Sequence, residues 1–143
     1  MRRGKPGSPR YSLDGGALIA LAIGDPSTQQ LKRALLRGEV EAYTHELALI
    51  ELAYILCKRF GWHVAQVKLS SLLKSRVVEV VRLPELVEEA SRIKCERALS
   101  VADCCTLALA ALYSCKALFA RRERELEAEI SRKPLEVEVE FLS

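Results

Sequence analysis

A chain of 143 residues, half of them hydrophobic and 29% charged, has the size of one domain and enough apolar material for a packed core, which excludes a multidomain machine and a disordered chain. Its 22 Lys and Arg against 19 Asp and Glu leave a net charge of +3, too mild for a protein that coats nucleic acid, so an anionic partner has to be met by a local patch. The absence of Asn and the single Met follow the thermophile pattern of losing labile residues, while five Cys without a C-x-x-C pair and only two His argue against a zinc site and for a reduced, cytoplasmic interior.

Residues 1–9 are basic and rich in Gly and Pro and read as a disordered tail before a single domain over 10–143. The start Met1-Arg2-Arg3-Gly4-Lys5 followed by Ala17 to Ile23 has the outline of a secretory leader, but Asp14 and Gly15-Gly16 break the apolar run. No stretch reaches the ~20 apolar residues of a membrane span, so a soluble protein is expected. Arg10 to Asp14 reads as a short strand ending in a carboxylate, followed by an apolar helix from Gly16 to Ile23 that Gly24 stops. Asp25-Pro26 opens a helix to Arg37, and Val40 to Tyr43 fits a strand. Thr44 is placed to cap a helix to Phe60 that is apolar almost all round from Leu47 to Cys57 and is therefore expected to be buried.

After Gly61 a helix runs to Lys74, Arg76 to Val81 is a β-branched strand, and Pro84 opens a helix to Arg97. Ser100 starts an apolar helix to Ser114, Ala117 to Ala120 is a short strand, Glu123 to Ser131 is helical, and Val137 to Leu142 alternates as an edge strand. Strands separated by helices or helix pairs predict right-handed crossovers and a mostly parallel sheet between helical layers.

Four carboxylates stand apart from this framework. Asp14 closes the first strand, where open α/β sheets place their chemistry, but Asp is also an ordinary cap for the helix that follows. Glu51 has Leu47, Ala48, Tyr54 and Ile55 three and four positions away, so it projects from an apolar surface without a local ion partner; it either pairs with a distant Arg, opens onto a surface groove, or ligates a metal. Asp103 follows Ser100 by three residues, which makes a capping-box-like helix start, and the same first turn points toward the strand-end crevice. Arg121-Arg122-Glu123-Arg124-Glu125 is either a solvated helix start with Arg121 facing Glu125 or a fourth acid, Glu123, flanked by phosphate-binding arginines.

Together, Ser12-Leu13-Asp14-Gly15-Gly16-Ala17-Leu18-Ile19, the helix Leu47 to Leu56 around Glu51, and Leu99-Ser100-Val101-Ala102-Asp103 running on to Ala110 resemble the PIN-domain family, over about 10–142, and most of all small archaeal members akin to VapC toxin ribonucleases. The resemblance implies a three-layer α/β/α sandwich with a five-stranded parallel sheet. It also implies three or four acids binding Mg²⁺ or Mn²⁺ for hydrolysis of RNA phosphodiesters, with Asp14, Glu51 and Asp103 matching the first three. Two positions depart from the family: Gly16 stands where many members carry Ser or Thr, and Arg121-Arg122-Glu123 replaces a Thr-x-Asp type turn, leaving Glu123 as the fourth acid and Glu125 in reserve.

Gathered carboxylates repel unless a divalent cation neutralises them, and hard oxygen donors suit Mg²⁺ or Mn²⁺. In this reading Asp14 and Asp103 ligate directly, Glu51 and Glu123 hold water or a second ion, and Arg10, Arg121, Arg122, Arg124 and Lys116 rim the pocket and track a single-stranded RNA backbone. The rival is a catalytically weak or inactive PIN-like scaffold that binds RNA or a protein. The family resemblance further implies a homodimer and, for a toxin, a small antitoxin partner. Dinucleotide and P-loop motifs are absent, and Cys104-Cys105 lacks a histidine in a recognisable partner motif.

Overall fold

The computed structural model describes residues 7–142. Its strands are β1 (Arg10–Leu13), β2 (Glu41–His45), β3 (Val78–Val81), β4 (Lys116–Phe119) and β5 (Val139–Phe141). Its helices are α1 (Gly15–Ala22), α2 (Gln29–Leu36), α3 (Glu46–Phe60), α4 (Trp62–Ser75), α5 (Leu83–Glu96), α6 (Val101–Tyr113) and α7 (Arg124–Arg132). The sheet runs β3-β2-β1-β4-β5, and all four pairings are parallel, with Ser12 level with Tyr43 on one side and Ala117 on the other. The expected mostly parallel sheet is thus parallel throughout.

Strand alternation sorts the core into two layers. Leu13, Ala42, Val78 and Leu118 face one side, where they meet Ala17, Leu18 and Leu21 of α1 and Leu35 of α2. Behind them α1 and α3 join α4 through Ile19, Leu52, Leu56 and Ala65. On the other side Tyr43, Ala117 and Phe119 pack against Leu86 and Ile93 of α5, Leu107 to Ala110 of α6 and Leu126 of α7. Helices therefore cover both faces, which a parallel sheet needs because its connections must cross back over it.

Strand order decides where a site can form. From β1 the chain moves outward to β2 and β3, then returns through α5 and α6 to place β4 on the other flank of β1. Connections leave β1 and β4 in opposite directions, which opens a crevice beyond their carboxyl ends. The outer strand β5 belongs to a stretch in which Glu136, Glu138 and Glu140 alternate with Val137, Val139 and Phe141, and Lys116 pairs with Glu140 at 3.3 Å and Glu138 at 3.7 Å.

Several local expectations are corrected. Asp14 lies just past β1 rather than in it, as the N-cap of α1. The segment from Asp25 opens with a 3-10 turn, Pro26–Thr28, because the Asp25 carboxylate accepts from the Ser27 amide; α2 begins only afterwards. Thr44 is not a cap: it stays in β2, donating from Oγ1 to the Leu13 carbonyl at 3.0 Å, and His45 caps α3 instead. Arg76 ends α4 in a left-handed conformation, φ 55°, which delays β3 to Val78.

The α3 helix is not buried all round, since Ile50 is 61% exposed and Tyr54 49%. Of the expected tail, residues 1–6 lie outside the described residues, while the Pro9 carbonyl already accepts from the Glu41 amide at 3.0 Å. All five cysteines are free thiols. Among the described residues no helix is long and apolar enough to cross a membrane.

Candidate active site

A cavity of about 510 Å³ opens at the β1/β4 crevice, and Asp14, Glu51, Asp103 and Glu123 all line it. Asp14 arrives there because its amide still donates to the Leu118 carbonyl of β4 at 3.1 Å. Its Oδ1 accepts from the Ala17 amide at 2.7 Å, so capping and a place in the cavity coexist in one side chain. Glu51 comes from the second turn of α3. A Cβ on Gly15 would stand 2.6 Å from Glu51 Cδ and Oε2, so Glu51 reaches across α1 only because residue 15 has no side chain.

Asp103 sits in the first turn of α6, where Ser100 Oγ accepts its amide at 3.1 Å. The cap thus occupies the backbone of Asp103 while its side chain lines the cavity. Glu123 occupies the N-cap position of α7, in the link that leaves β4. Glu125, the reserve candidate, does not line the cavity, although its charge is felt by Asp103.

These acids disturb one another's ionisation. Burial pushes Asp14 up to about 7, reinforced by the charges of Asp103 and Glu51 and opposed by the amides of Ala17 and Ala120. Asp103 is pushed up to about 6 by burial, then by Glu123, with the Ser100 hydroxyl opposing and Glu51 and Glu125 adding to the rise. Glu51 is raised by burial and by Glu123. Among the described residues none of Asp14, Glu51, Asp103 and Glu123 forms an ion pair, and a set of mutually repelling, half-buried oxygens fits a divalent cation.

The all-carboxylate donors match Mg²⁺ or Mn²⁺ chemistry rather than zinc. Among the described residues no three His, Cys, Asp or Glu side chains close round a point as a ready cage. The donors fit an ion that keeps part of its water, as Mg²⁺ does.

Behind the acids stands His45, fully buried. Its Nδ1 accepts from the Ala48 amide at 3.3 Å, so its proton is on Nε2, which meets Thr106 Oγ1 at 2.9 Å. Thr106 Oγ1 in turn donates to the Ala102 carbonyl at 3.2 Å. Burial holds the imidazole neutral, lowered to about 4. This chain of bonds locks the start of α3 to the first turns of α6, the two elements that carry Glu51 and Asp103. Cys104, next to Asp103, is buried and its thiol is pushed up to about 11, which leaves no thiolate for catalysis.

The expected basic rim divides. Arg121 lines the cavity. Arg10 stands at the other end of β1, paired with Glu41 at 3.0 Å and donating to the Tyr113 carbonyl; Lys116, level with Tyr11 at the start of β4, is held by Glu138 and Glu140. Neither reaches the crevice, because both precede their strands' carboxyl ends. Arg122 lies over the Phe141 ring at 4.5 Å and pairs with Glu127 at 3.7 Å, and Arg124 does not line the cavity. The expected Arg121–Glu125 pair is not formed among the described residues.

Gly16 also has a reason. A Cβ there would stand 2.8 Å from Ala120 Cβ, so α1 and the end of β4 approach too closely for a serine. Arg59 lines the cavity as well. Its signal in the sequence is its spacing, since Glu51, Ile55 and Arg59 fall at i, i+4 and i+8 on one helical face.

The PIN domain family model matches residues 11–130. No curated protein sequence matches the chain. Among solved structures, a DNA-bound VapBC from Salmonella typhimurium superposes with a TM-score of 0.69 at 15% identity, over 95% of this chain and 99% of that one. The Mycobacterium tuberculosis VapC20 toxin, described as cleaving the sarcin-ricin loop, gives 0.61 at 22% identity, over 83% and 93%. A Pyrobaculum aerophilum protein gives 0.61 at 23% identity, over 97% and 87%.

Proposed function

The chain belongs to the PIN-domain family, whose members are nucleases, and from that premise we propose that it is a metal-dependent endoribonuclease that hydrolyses phosphodiester bonds of single-stranded RNA, as the toxin of a toxin–antitoxin pair. The observation that carries this reading is the convergence of Asp14, Glu51, Asp103 and Glu123 on one cavity, with Asp14, Glu51 and Asp103 shifted upward in pKa first by burial and then by the charges of neighbouring acids.

Asp14 and Asp103 would hold the Mg²⁺ or Mn²⁺, with Glu51 and Glu123 beside them. A divalent cation, when bound, supplies positive charge to the phosphate and acidifies water next to it. Glu51 and Glu123 would orient a water by accepting hydrogen bonds at their carboxylate oxygens, and one of them would take the single proton released as that water attacks phosphorus. Arg121, on the rim, meets a phosphate oxygen with its guanidinium. His45 is not the general base, because its Nδ1 lone pair is taken by Ala48 and its Nε2 faces Thr106.

Pairing through Ile50 and Tyr54 of α3 and Trp62 of α4, all exposed, would give a homodimer. A small antitoxin that fills the acidic cavity would hold the enzyme silent.

The test is cleavage of single-stranded RNA by the purified protein with Mg²⁺, Mn²⁺ or EDTA, with Asp103→Asn as the control for contaminating nuclease. The expected result is metal-dependent cleavage lost in the variant. A folded protein that cleaves no RNA and binds no Mn²⁺ would overturn the nuclease reading in favour of a non-catalytic PIN scaffold, a reading that the missing hydroxyl at Gly16 favours.

A further inference from the structure

The cavity that holds the acids is also lined by Ile19 of α1, Ile23 just after it, and Ile55 and Arg59 of α3, which make up its α1–α3 lobe. Ile23 is 41% exposed and Ile19 is buried, so the wall is a formed apolar surface with one side open to solvent. Arg59 follows Glu51 by two helical turns, about 12 Å along α3. Its guanidinium makes no ion pair or hydrogen bond among the described residues, although it shares a cavity with five carboxylates.

One of those five is Asp25. Its Oδ1 is already engaged by the Ser27 amide at 2.9 Å and hydroxyl at 2.6 Å. An unpaired guanidinium that shares one cavity with apolar side chains and with cation-attracting acids is complementary to a chain that alternates phosphate and base.

We propose that the α1–α3 lobe is a nucleotide subsite: Arg59 binds a phosphate that flanks the scissile one, and the nucleobase lies on Ile19, Ile23 and Ile55. The inference rests on the ribonuclease reading and adds to it a second cationic contact for the strand, at Arg59 of α3 besides Arg121. Arg59 fixes register without reading sequence, since every nucleotide carries the same phosphate and an apolar wall accepts any base.

The probe is a fluorescein-labelled hexauridylate, followed by anisotropy with the full chain in Mn²⁺ and, to separate binding from turnover, in Asp103→Asn background. Arg59→Ala is expected to weaken binding about tenfold and to reduce the slope of log affinity against log salt by about 0.7, the value for one phosphate contact on a single strand. Arg59→Lys should recover part of the loss. Ile23→Ser, at an exposed position that leaves folding intact, should weaken binding about threefold, and both variants should bind Mn²⁺ as the parent does.

Binding and salt slope unchanged in Arg59→Ala, while the parent binds the oligonucleotide, would overturn the subsite and leave the nuclease reading standing. A loss of affinity for a co-purified antitoxin in that variant, without loss for RNA, would likewise overturn it and assign the cation to a protein contact. No binding of hexauridylate by the parent protein would overturn the RNA reading and the subsite together.

Discussion

Glu51 occupies the space a side chain on Gly15 would need, its Cδ and Oε2 lying 2.6 Å from the position of the missing Cβ. The obstructing atoms are the end of a flexible side chain, so Gly15→Ala is expected to swing Glu51 aside rather than unfold the protein. Alanine in the first turn of α1 offsets strain through its better helix propensity, by up to ~1 kcal/mol. Thermal melting should change little while Mn²⁺ affinity falls roughly 10- to 100-fold; calorimetry showing unaltered Mn²⁺ binding would remove Glu51 from the cation site.

At Gly16 the obstruction is rigid. Its missing Cβ lies 2.8 Å from Ala120 Cβ, and neither atom can rotate away. Gly16→Ser should destabilise by about 1–3 kcal/mol in urea unfolding, and Ala120→Gly in the same chain should recover most of that loss. The double variant would test whether the hydroxyl common in the family raises cleavage here once it has room. Additive losses in the two variants would show that the two residues do not touch.

The raised carboxyls make stability depend on pH. Asp14 at about 7 and Asp103 at about 6 lie above their usual 3.8, so the folded protein binds protons more tightly than the unfolded chain. Their favourable contribution is full below about pH 4 and is lost as pH rises through 6 and 7. In EDTA, Asp14→Asn should therefore be more stable than the parent at pH 8, by about 1–3 kcal/mol, with the advantage gone at pH 4. Mn²⁺ should raise the parent's melting temperature more at pH 8 than at pH 5. A variant that gains nothing at pH 8 would show that the Asp14 carboxylate is better solvated than its surroundings imply.

Arginines on the two ends of the sheet should separate in activity. Arg10→Ala breaks a partly exposed pair with Glu41, costs about 0–1 kcal/mol, and is expected to leave RNA cleavage unchanged. Arg121→Ala should raise KM several-fold without altering Mn²⁺ binding. Steady-state kinetics on one RNA substrate distinguishes them, and equal losses would mean that RNA wraps the whole edge of β1.

How far the sequence discloses all this depends on what each signal measures. Asp14, Glu51 and Asp103 stand out because each follows a strand or interrupts an apolar helix, and local pattern reports such positions well. Which end of a strand a residue occupies is also local, so the starts of β1 and β4 mark Arg10 and Lys116 as remote from the crevice; for Arg10, nearness to Asp14 in sequence points the wrong way. Thr44 and His45 differ in a pairing that only the sheet decides, since Thr44 bonds to Leu13 across β1. Arg59 escaped because the apolar run of α3 read as buried throughout, which hid the stripe from Glu51 through Ile55 that leads to it. The contacts of Gly15 and Gly16 with Glu51 and Ala120 are tertiary, and no spacing along the chain encodes them.

The alternation of Glu136, Glu138 and Glu140 along the outer margin of the sheet bears on how this molecule meets its own kind. An open strand margin is a template for the next chain, and a wholly parallel sheet, slow to assemble, exposes such margins during folding. Two β5 margins brought together would set glutamate against glutamate, with Lys116 offsetting part of the charge of Glu138 and Glu140 and Arg92 part of that of Glu136. Growth into fibrils from that side meets the repulsion of these carboxylates.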